Sequence, residues 1–486
     1  MAMRGFVVAL MGTGLALGAA VWAAKPPRTG KVGETAIGDK TPTFYKDVLP
    51  IAQEHCQTCH RPGQIGPFSL LDYQSARPWA KAIKSAVVAR KMPPWLANPE
   101  YGHFTNDRSL SQAEIGTLVA WAENGAPAGE PTDAPPAVQW PEGGWSVKPD
   151  LTVDLPPFPV PATGVLDWER LAIPAPFKED TWVTSVEILP GAPAVVHHMC
   201  FQFEKHKPTT PYNLYEWVEI PRDDTGLAKI HDGKSQATEG TVVSRAVGST
   251  WSEVTRRAGK PIFTGGVAEF CYLPGGGPQD YRPLQAGILV PAGSDIDINL
   301  HYTTNGATAT DRTRIGFTIA KVPPAKKIVN QSGGNEGDNP AEAERQDVSK
   351  IAIPPYDGNY LAPPLEYTFK KDTDLLWAQP HAHVRGKSVR YTLIYPDGRQ
   401  EIILDVPHYD FNWQMTYRMS LKIPKGSRMR VQFAYDNSPS NRYNPDPSKW
   451  VYYGAQSWEE MGSAFLGFLM DRNENENDVL QERAVN

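Results

Sequence analysis

The chain has 486 residues, a formal net charge of −6, 41% hydrophobic residues and 21% charged residues. This length corresponds to about three domains at roughly 150 residues each, and the composition is that of a folded rather than a disordered protein. No block of basic residues occurs, which argues against a nucleic-acid partner because such binding requires clustered cations. Four cysteines are too few for a disulfide scaffold.

The N-terminus has the pattern of a secretory signal. Arg4 precedes an apolar run over residues 5–24, and the small residues Val21 and Ala23 allow cleavage after Ala23. We therefore assign residues 1–23 to a signal peptide and expect an exported, periplasmic protein. An uncleaved anchor is the alternative, because an apolar run of about 20 residues can just span a bilayer. Such an anchor would be the chain's one contact with a membrane.

Residues 41–126 are predicted to be helical. Apolar residues recur at helical spacing in Thr43–His55 and in Arg77–Lys91, and Ser111–Glu114 forms a capping box before a third helix. Residues 127–161 then contain ten prolines in 35 positions. This composition predicts an extended, semi-rigid spacer or an edge strand.

After about residue 151 the apolar residues alternate with a period of two, which predicts β-strands. Two such runs flank Pro396-Asp397-Gly398 and predict a hairpin. The polar stretch 330–345 is predicted to be an exposed loop between a first sandwich at 162–325 and a second at 346–475. The predicted fold class is therefore multidomain, with a small all-α domain followed by two all-β, jelly-roll-like sandwiches.

The sequence Cys56-Gln-Thr-Cys59-His60 matches the covalent haem c attachment motif, in which two thiols form thioether bonds and the histidine binds iron. A redox CxxC pair and half of a zinc site are the alternatives. A redox pair does not require the adjacent histidine, and the sequence has no second CxxC to complete a zinc ribbon. We therefore expect haem c at Cys56, Cys59 and His60.

A second axial ligand is expected at Met92, which follows the middle helix and precedes two prolines. A soft thioether ligand would raise the reduction potential, as suits an electron carrier. His55 and His103 are rival ligands, and Met92 could instead be a core residue. With its closing helix, the segment 41–126 resembles a single-haem class I cytochrome c.

Five of the eight histidines after the spacer fall in three short motifs, which are Val196-His197-His198-Met199, Leu300-His301-Tyr302 and Pro380-His381-Ala382-His383. His381 and His383 would lie on one face of a strand, because residues two apart do so. His197 and His198 would face opposite sides and converge only where their strand ends, twists or bulges. His301 is predicted to point away from the sandwich core.

These motifs, followed by a Glu-Met pair and an apolar strand, resemble the copper type II, ascorbate-dependent monooxygenases. That group contains the peptidylglycine α-hydroxylating and dopamine β-monooxygenases. The resemblance covers about residues 150–470 and is most specific in His381–Tyr391 and Trp458–Met470. It implies two copper ions, each on its own β-sandwich, that face each other across a solvent-filled cleft.

The resemblance also implies the ligands. His197, His198 and His301 would hold an electron-transfer copper, whereas His381, His383 and Met461 would hold an oxygen-activating copper. Imidazole suits copper, and an added thioether favours Cu(I). Zinc is the alternative metal, because three histidines also form zinc sites, but Met461 argues against zinc at the second site.

Two positions depart from the pattern that the resemblance implies for peptidylglycine members. There, an arginine two residues before His-x-His and a tyrosine four residues after the ligand methionine hold the substrate carboxylate. This chain has Gln379 and Phe465 instead, so we expect a less anionic substrate. Arg385, two residues after His383, is expected to form a surface ion pair.

The sequence therefore predicts an exported haem- and copper-dependent monooxygenase that hydroxylates an organic substrate with O2. Electrons would pass from an external donor to the haem, to the first copper and to the second. The alternatives are a non-catalytic electron-transfer protein and a cytochrome-linked dehydrogenase. Cys200 and Cys271 either form a disulfide, as an oxidising compartment would allow, or stay as buried free cysteines.

Overall fold

The computed structural model describes residues 41–140, 142–166, 168–208, 210, 212, 214–219, 241–246, 254–258, 270–334, 351–454 and 457–482. The predicted signal peptide, residues 1–23, lies outside this part of the chain. Within the described ranges, no helix has the length and apolar character needed to cross a membrane.

The helices are short and lie near the start of the described chain. They are α1 (Leu49–His55), α2 (Tyr73–Ala76), α3 (Ala80–Val88) and α4 (Gln112–Glu123). A π-helical turn at Phe44–Val48 leads into α1. The helix α4 begins at a capping box in which the Ser111 hydroxyl accepts the Glu114 N–H and the Glu114 carboxylate accepts the Ser111 N–H.

The described residues otherwise form mainly β-strands. These are β1 (Leu151–Asp154), β2 (Phe158–Val160), β3 (Glu169–Pro174), β4 (Thr181–Leu189), β5 (Val196–Lys205), β6 (Leu214–Glu219), β7 (Thr241–Ala246), β8 (Val254–Ala258), β9 (Phe270–Tyr272), β10 (Gln279–Asp280), β11 (Ala286–Val290), β12 (Ser294–Tyr302), β13 (Ala309–Asp311), β14 (Arg314–Ile319), β15 (Lys326–Gly334), β16 (Ala352–Ile353), β17 (Tyr360–Leu361), β18 (Leu365–Phe369), β19 (Thr373–Ala382), β20 (Gly386–Ile394), β21 (Gln400–Val406), β22 (Tyr417–Ile423), β23 (Arg428–Tyr435), β24 (Val451–Tyr452), β25 (Gly462–Asp471) and β26 (Leu480–Glu482).

Three large sheets organise these strands. The nine-stranded sheet has the order β1-β14-β4-β11-β15-β25-β19-β22, with β10 added beside β4. The seven-stranded sheet has the order β8-β7-β6-β3-β12-β5-β9. The six-stranded sheet has the order β21-β20-β23-β18-β26, with β17 beside β23. Its β20 and β21 form the hairpin that the Pro396-Asp397-Gly398 turn predicts.

The nine-stranded sheet joins the two halves of the β region. Its strand β15 pairs with β11 on one side and with β25 on the other. One apolar core lies between the β4 and β14 half of this sheet and the seven-stranded sheet. A second core lies between the β19 and β25 half and the six-stranded sheet. The two sandwiches therefore share one continuous sheet.

The predicted fold class, a small all-α cytochrome c domain followed by two all-β, jelly-roll-like sandwiches, is wrong. The described chain is mainly β, and its α-helices have only 4 to 12 residues. Their segment is also tied to the second sandwich, where Ala97 belongs to the core and the Asn98 N–H donates to the Asp405 carbonyl at 2.8 Å. Helices this short depend on tertiary packing for stability, and the described helices pack on one another in a small core that includes Phe44 and Trp121.

One predicted connection differs, and the proline-rich stretch contains an edge strand, which is one of its two predicted alternatives. Residues 330–334, predicted as the start of a loop, complete β15 in the middle of the shared sheet, and residues 335–350 lie outside the described chain. The proline-rich stretch 127–161 contains β1, which pairs with β14 at the sheet edge. The stretch also contains β2, where Pro159 pairs with Thr310 of β13 in a two-stranded sheet, and prolines fit edge strands because these need fewer backbone donors.

A disulfide joins Cys200 in β5 to Cys271 in β9 and closes a loop with a sequence separation of 71 residues. Replacing both residues, as C200S/C271S, should lower the free energy of unfolding by about 2–5 kcal/mol, because the cross-link restricts the unfolded chain. Urea unfolding at neutral pH measures this change. A thiol reductant should destabilise the native chain to the same extent and leave the double variant unaffected. Equal midpoints for both proteins without reductant would contradict the prediction.

Candidate metal centres

The pairing of β5 with β12 brings three histidines together. His301 pairs with His198, but the next pair is Tyr302 with Val196, so His197 is an extra residue in a β-bulge. Adjacent side chains of a regular strand point to opposite faces, and a bulge lets those of His197 and His198 point to the same side. Candidate ligand atoms of His197, His198 and His301 all lie within 4.8 Å of one another.

The three rings are buried and incompletely hydrogen-bonded. Nδ1 of His197, Nδ1 of His301 and both ring nitrogens of His198 have no hydrogen-bond partner among the described residues. Buried polar atoms without partners are costly and rare. A bound metal ion would satisfy all three side chains at once, and the donor set of three imidazoles suits copper or zinc. His301 is buried as well, on the face of β12 opposite Leu300 and Tyr302, which belong to the apolar core.

Burial also keeps these imidazoles neutral. It lowers the pKa of His197 to about 4, with the nearby His381 adding to the effect and Asp410 opposing it. It lowers the pKa of His301 to about 3, again with a contribution from a neighbouring histidine. Burial likewise places the pKa of His198 well below its usual value. Neutral imidazole is the form that binds metal.

His381 at the end of β19 and His383 just after it form a second group. Their ring centroids are 5.2 Å apart. The His381 Nδ1 donates to the Gln414 side-chain oxygen at 2.7 Å, and the His383 Nδ1 lies 3.2 Å from the Glu459 carbonyl. Such contacts fix ring orientation and make Nε2 the atom available for a metal. Burial lowers the pKa of His381 to about 4.

Met461 adjoins this second group through the sheet. Gly462 at the start of β25 pairs with Ala382, and Met461 and His383 each lie one residue beyond this last pair. Met461 has a buried side chain, and its carbonyl accepts the Tyr435 hydroxyl at 2.8 Å. The backbone thus brings the predicted methionine ligand to the two histidines. Ligation by its sulfur stays a prediction.

A buried carboxylate connects the strands that carry these ligands. Glu460 accepts the N–H of His383 at 2.8 Å and that of Arg385 at 2.6 Å. Burial raises the pKa of Glu460 to about 7, and Arg385 opposes that shift. Arg385 is itself fully buried and donates to Asn437 and to the Trp458 carbonyl. The expectation that Arg385 forms a surface ion pair is therefore wrong.

Two aromatic side chains lie between the two histidine groups. The Trp168 ring centroid is 4.9 Å from that of His198 and 6.4 Å from that of His383. The Phe411 ring is 4.9 Å from His197 and 6.0 Å from His383. The five histidines therefore form one buried cluster with aromatic rings in it, rather than two groups facing across open solvent.

Sequence reasoning missed Trp168, Phe411 and Gln414. None of them belongs to a short motif, and each meets the histidines only through long-range packing. The one available signal was weak: Trp168 lies directly before a strand, β3. Only the pairing of β3 with β12 shows that Trp168 lies beside His301, with the ring centroids 6.0 Å apart.

The haem motif lies just after α1. Cys56 and Cys59 are free thiols in the described chain. Burial raises the pKa of Cys56 to about 12 and also raises the pKa of Cys59. A redox CxxC pair needs a thiol with a lowered pKa, so this environment argues against that alternative. The His60 Nδ1 donates to the Phe68 carbonyl at 3.1 Å, a contact that would direct Nε2 toward an iron.

The rival axial ligands have different surroundings. His55 places Nδ1 3.1 Å from the Arg108 carbonyl and Nε2 3.2 Å from the Glu114 carboxylate. Both of its ring nitrogens are therefore engaged, which argues against iron ligation by His55. His103 is exposed, whereas Met92 follows α3 and is half-buried. Ligation by Met92 stays a prediction.

Comparisons with known proteins give no assignment. No protein-family model matches this chain, and no curated protein matches it either. The solved structures that match include the major capsid protein P2 of bacteriophage PM2, at 7% identity over 67% of this chain and 100% of that chain, with a TM-score of 0.22. They also include infectious bursal disease virus, Gx strain, at 8% identity over 72% and 78% of the two chains, with a TM-score of 0.17. TM-scores this low carry no argument.

Copper titration of the metal-free protein should give two bound ions, one for each histidine group. H198A should bind one fewer ion because it removes a ligand from the first group, and H383A should bind one fewer because it removes a ligand from the second. Metal analysis after gel filtration measures the stoichiometry. The exposed His408 supplies the control variant H408A, which should bind as many ions as the native chain. Unchanged stoichiometry in H198A and H383A would contradict the two-site assignment.

Acid should destabilise the metal-free protein. The folded-state pKa values of His301 and His381, about 3 and about 4, lie below the unfolded value of about 6.5. Between these limits the unfolded chain binds more protons, so the free energy of unfolding falls as the pH decreases from about 6.5 to about 4. H301N removes one such group and should show a shallower fall. Urea unfolding of chelator-treated protein across this range measures both slopes, and identical slopes would refute the assignment.

Proposed function

We propose that this chain is an O2-dependent copper monooxygenase to which a covalently attached haem c supplies electrons. The observation that carries the proposal is the convergence of five histidines from three separate motifs into one buried cluster. His197, His198 and His301 offer ligand atoms within 4.8 Å of one another. His381 and His383 lie beside them, with ring centroids 5.2 Å apart.

The protein holds the candidate ligands in a fixed arrangement from which water is largely excluded. Burial keeps the imidazoles neutral, so no proton has to leave before a metal binds. Gln414 orients the His381 ring. Glu460 fixes the backbone of His383 next to Met461. Side chains positioned in this way need little rearrangement during a reaction.

The donor sets fit copper at both groups and haem c at Cys56, Cys59 and His60. Bound there, copper would supply the reaction with O2 and the haem iron would supply single electrons. Export to the periplasm agrees with covalent haem attachment and with the Cys200–Cys271 disulfide. Met92 is the proposed second axial ligand.

The surroundings of the second group favour an uncharged, apolar substrate. Phe465 lies 6.1 Å from His381 and Phe411 lies 6.0 Å from His383, as ring centroids. Arg385 is held in its own buried hydrogen bonds and so does not offer a cation to a substrate carboxylate. A site that cannot pair an anion would have to bury it at a large cost.

Turnover of the copper-loaded, haem-containing chain with an uncharged alkylbenzene tests the proposal. Ascorbate serves as the electron source, and ¹⁸O2 labels the product. We expect hydroxylated product with one labelled oxygen, loss of turnover in H383A because it removes a metal ligand, and native turnover in H408A. A carboxylated alkylbenzene should react much more slowly.

Two results would contradict the proposal and support one of the two alternative functions instead. Haem reduction by the substrate without O2 would indicate a cytochrome-linked dehydrogenase. Reversible oxidation and reduction of haem and copper, with no product from any substrate, would indicate an electron-transfer protein. Labelled product from H383A at the native rate would exclude His383 as a ligand of the reacting site.

A further inference from the structure

Part of the segment that carries the haem motif packs on the second sandwich. This part is residues 95–106, which we call the strap, and it begins three positions after Met92. Its apolar residues lie in or against the core of that sandwich, and they are Trp95, Leu96, Ala97 and Phe104. Gly102 allows the close approach, because its φ is +72° and a Cβ there would collide with the Ile403 carbonyl of β21.

The strap covers the free edge of the shared sheet. Strand β22 is the last strand of that sheet, so the backbone groups on its outer side need other partners. The Thr105 N–H donates to the Arg418 carbonyl at 2.8 Å. The Asn106 side chain donates to the Thr416 carbonyl at 2.8 Å and accepts the Arg418 N–H at 2.9 Å. Asn106 thus holds the start of β22 from outside.

The inner side of the same stretch carries a residue that orients a candidate metal ligand. The antiparallel pairing of β22 with β19, continued past its last pair, brings Gln414 opposite His381. The Gln414 side-chain oxygen accepts the His381 Nδ1–H at 2.7 Å. In the same register, the Thr416 hydroxyl donates to the Gln379 side-chain oxygen at 2.9 Å. The position of residues 414–418 therefore decides where the Gln414 oxygen lies relative to the His381 ring.

We infer that Asn106 is a positioning residue for the second histidine group. It fixes the backbone of residues 414–418 from outside, and Gln414 in that stretch fixes the His381 ring from inside. This inference rests on the proposed function, which places a metal at the second group. Residues that orient a metal ligand in this way typically change metal affinity by about 10–100-fold. The second group therefore depends on the segment that carries the haem motif.

Copper titration of a single-site variant tests this role. H198A disables the first group, so copper added to the metal-free chain reports on the second. In this background, N106A should weaken copper binding by about tenfold and change the Cu(II) electron paramagnetic resonance spectrum, because His381 is no longer held in one orientation. Native affinity together with a native spectrum would overturn the inference.

The first group shows whether the effect is local. In the H383A background, which keeps the first group intact, N106A should leave the copper affinity unchanged. Equal losses of affinity at both groups would mean that N106A only destabilises the chain, and they would refute a positioning role.

Asn98 supplies the matched control. It lies in the same strap and donates to the Asp405 carboxylate of β21 at 3.0 Å, so it does not bind the backbone of β22. N98A removes a hydrogen bond of the same kind. We expect it to lower the free energy of unfolding about as much as N106A and to keep the native copper affinity in the H198A background. A tenfold loss of affinity in N98A would contradict the specific role of Asn106.

A double-mutant cycle in the H198A background shows whether Asn106 acts through Gln414. Q414A removes the oxygen that accepts the His381 Nδ1–H and should weaken copper binding at least as much as N106A. N106A/Q414A should bind copper as Q414A does, because the contact that N106A disturbs is already absent. Additive losses would exclude the path through Gln414.

The outcomes distinguish this inference from the proposed function. Product formation by the native chain, with native copper affinity in H198A/N106A, would keep the proposed function and refute the role of Asn106. Absence of copper binding at the second group of H198A would refute the proposed function. Nitrogen NMR of the metal-free chain with ¹⁵N-labelled histidine then still tests the positioning: we expect one Nδ1–H tautomer of His381 in the native chain and in N98A, and a mixture in N106A. A single tautomer in all three would refute it.

Discussion

The continuous nine-stranded sheet is the constraint on which the candidate centre depends. Because β15 pairs with β11 of the first sandwich and with β25 of the second, the two halves cannot rotate independently. The strand β25 also pairs with β19, which carries His381. The second histidine group is thus held in place against the first by backbone hydrogen bonds. Both groups can then share the Trp168 and Phe411 rings.

Burial gives this cluster its chemical character. Burial favours the neutral form of four of the five imidazoles, and a neutral ring can bind a metal; the four belong to His197, His198, His301 and His381. The same burial makes unpaired polar atoms costly, and the surrounding residues satisfy many of them. Gln414 and the Glu459 carbonyl each accept one imidazole Nδ1–H, and Glu460 accepts backbone donors at the end of β19. Nitrogens of the first group have no such partner among the described residues, and a bound metal ion would satisfy them.

The contrast between Cys56 and Arg385 shows how far local sequence can be interpreted. Spacing alone identified Cys56, Cys59 and His60 as a possible haem attachment motif, because the chemistry depends on near neighbours in the chain. Arg385 has no such local signature. It looked like a surface cation, yet it is fully buried and bonded to Asn437 and the Trp458 carbonyl, which are distant in sequence. Such contacts cannot be inferred from periodicity.

The sequence by itself determined the β character after residue 151, the capping box at Ser111, the hairpin around Pro396-Asp397-Gly398 and the histidine motifs. Each depends on residues within a few positions of one another, where backbone geometry dictates the outcome. Only the tertiary structure decided that the helical segment is not a separate domain, that β15 merges two sandwiches and that a bulge at His197 gathers three rings. These features depend on strand register and on packing between segments that are far apart in the sequence, and no local pattern encodes them.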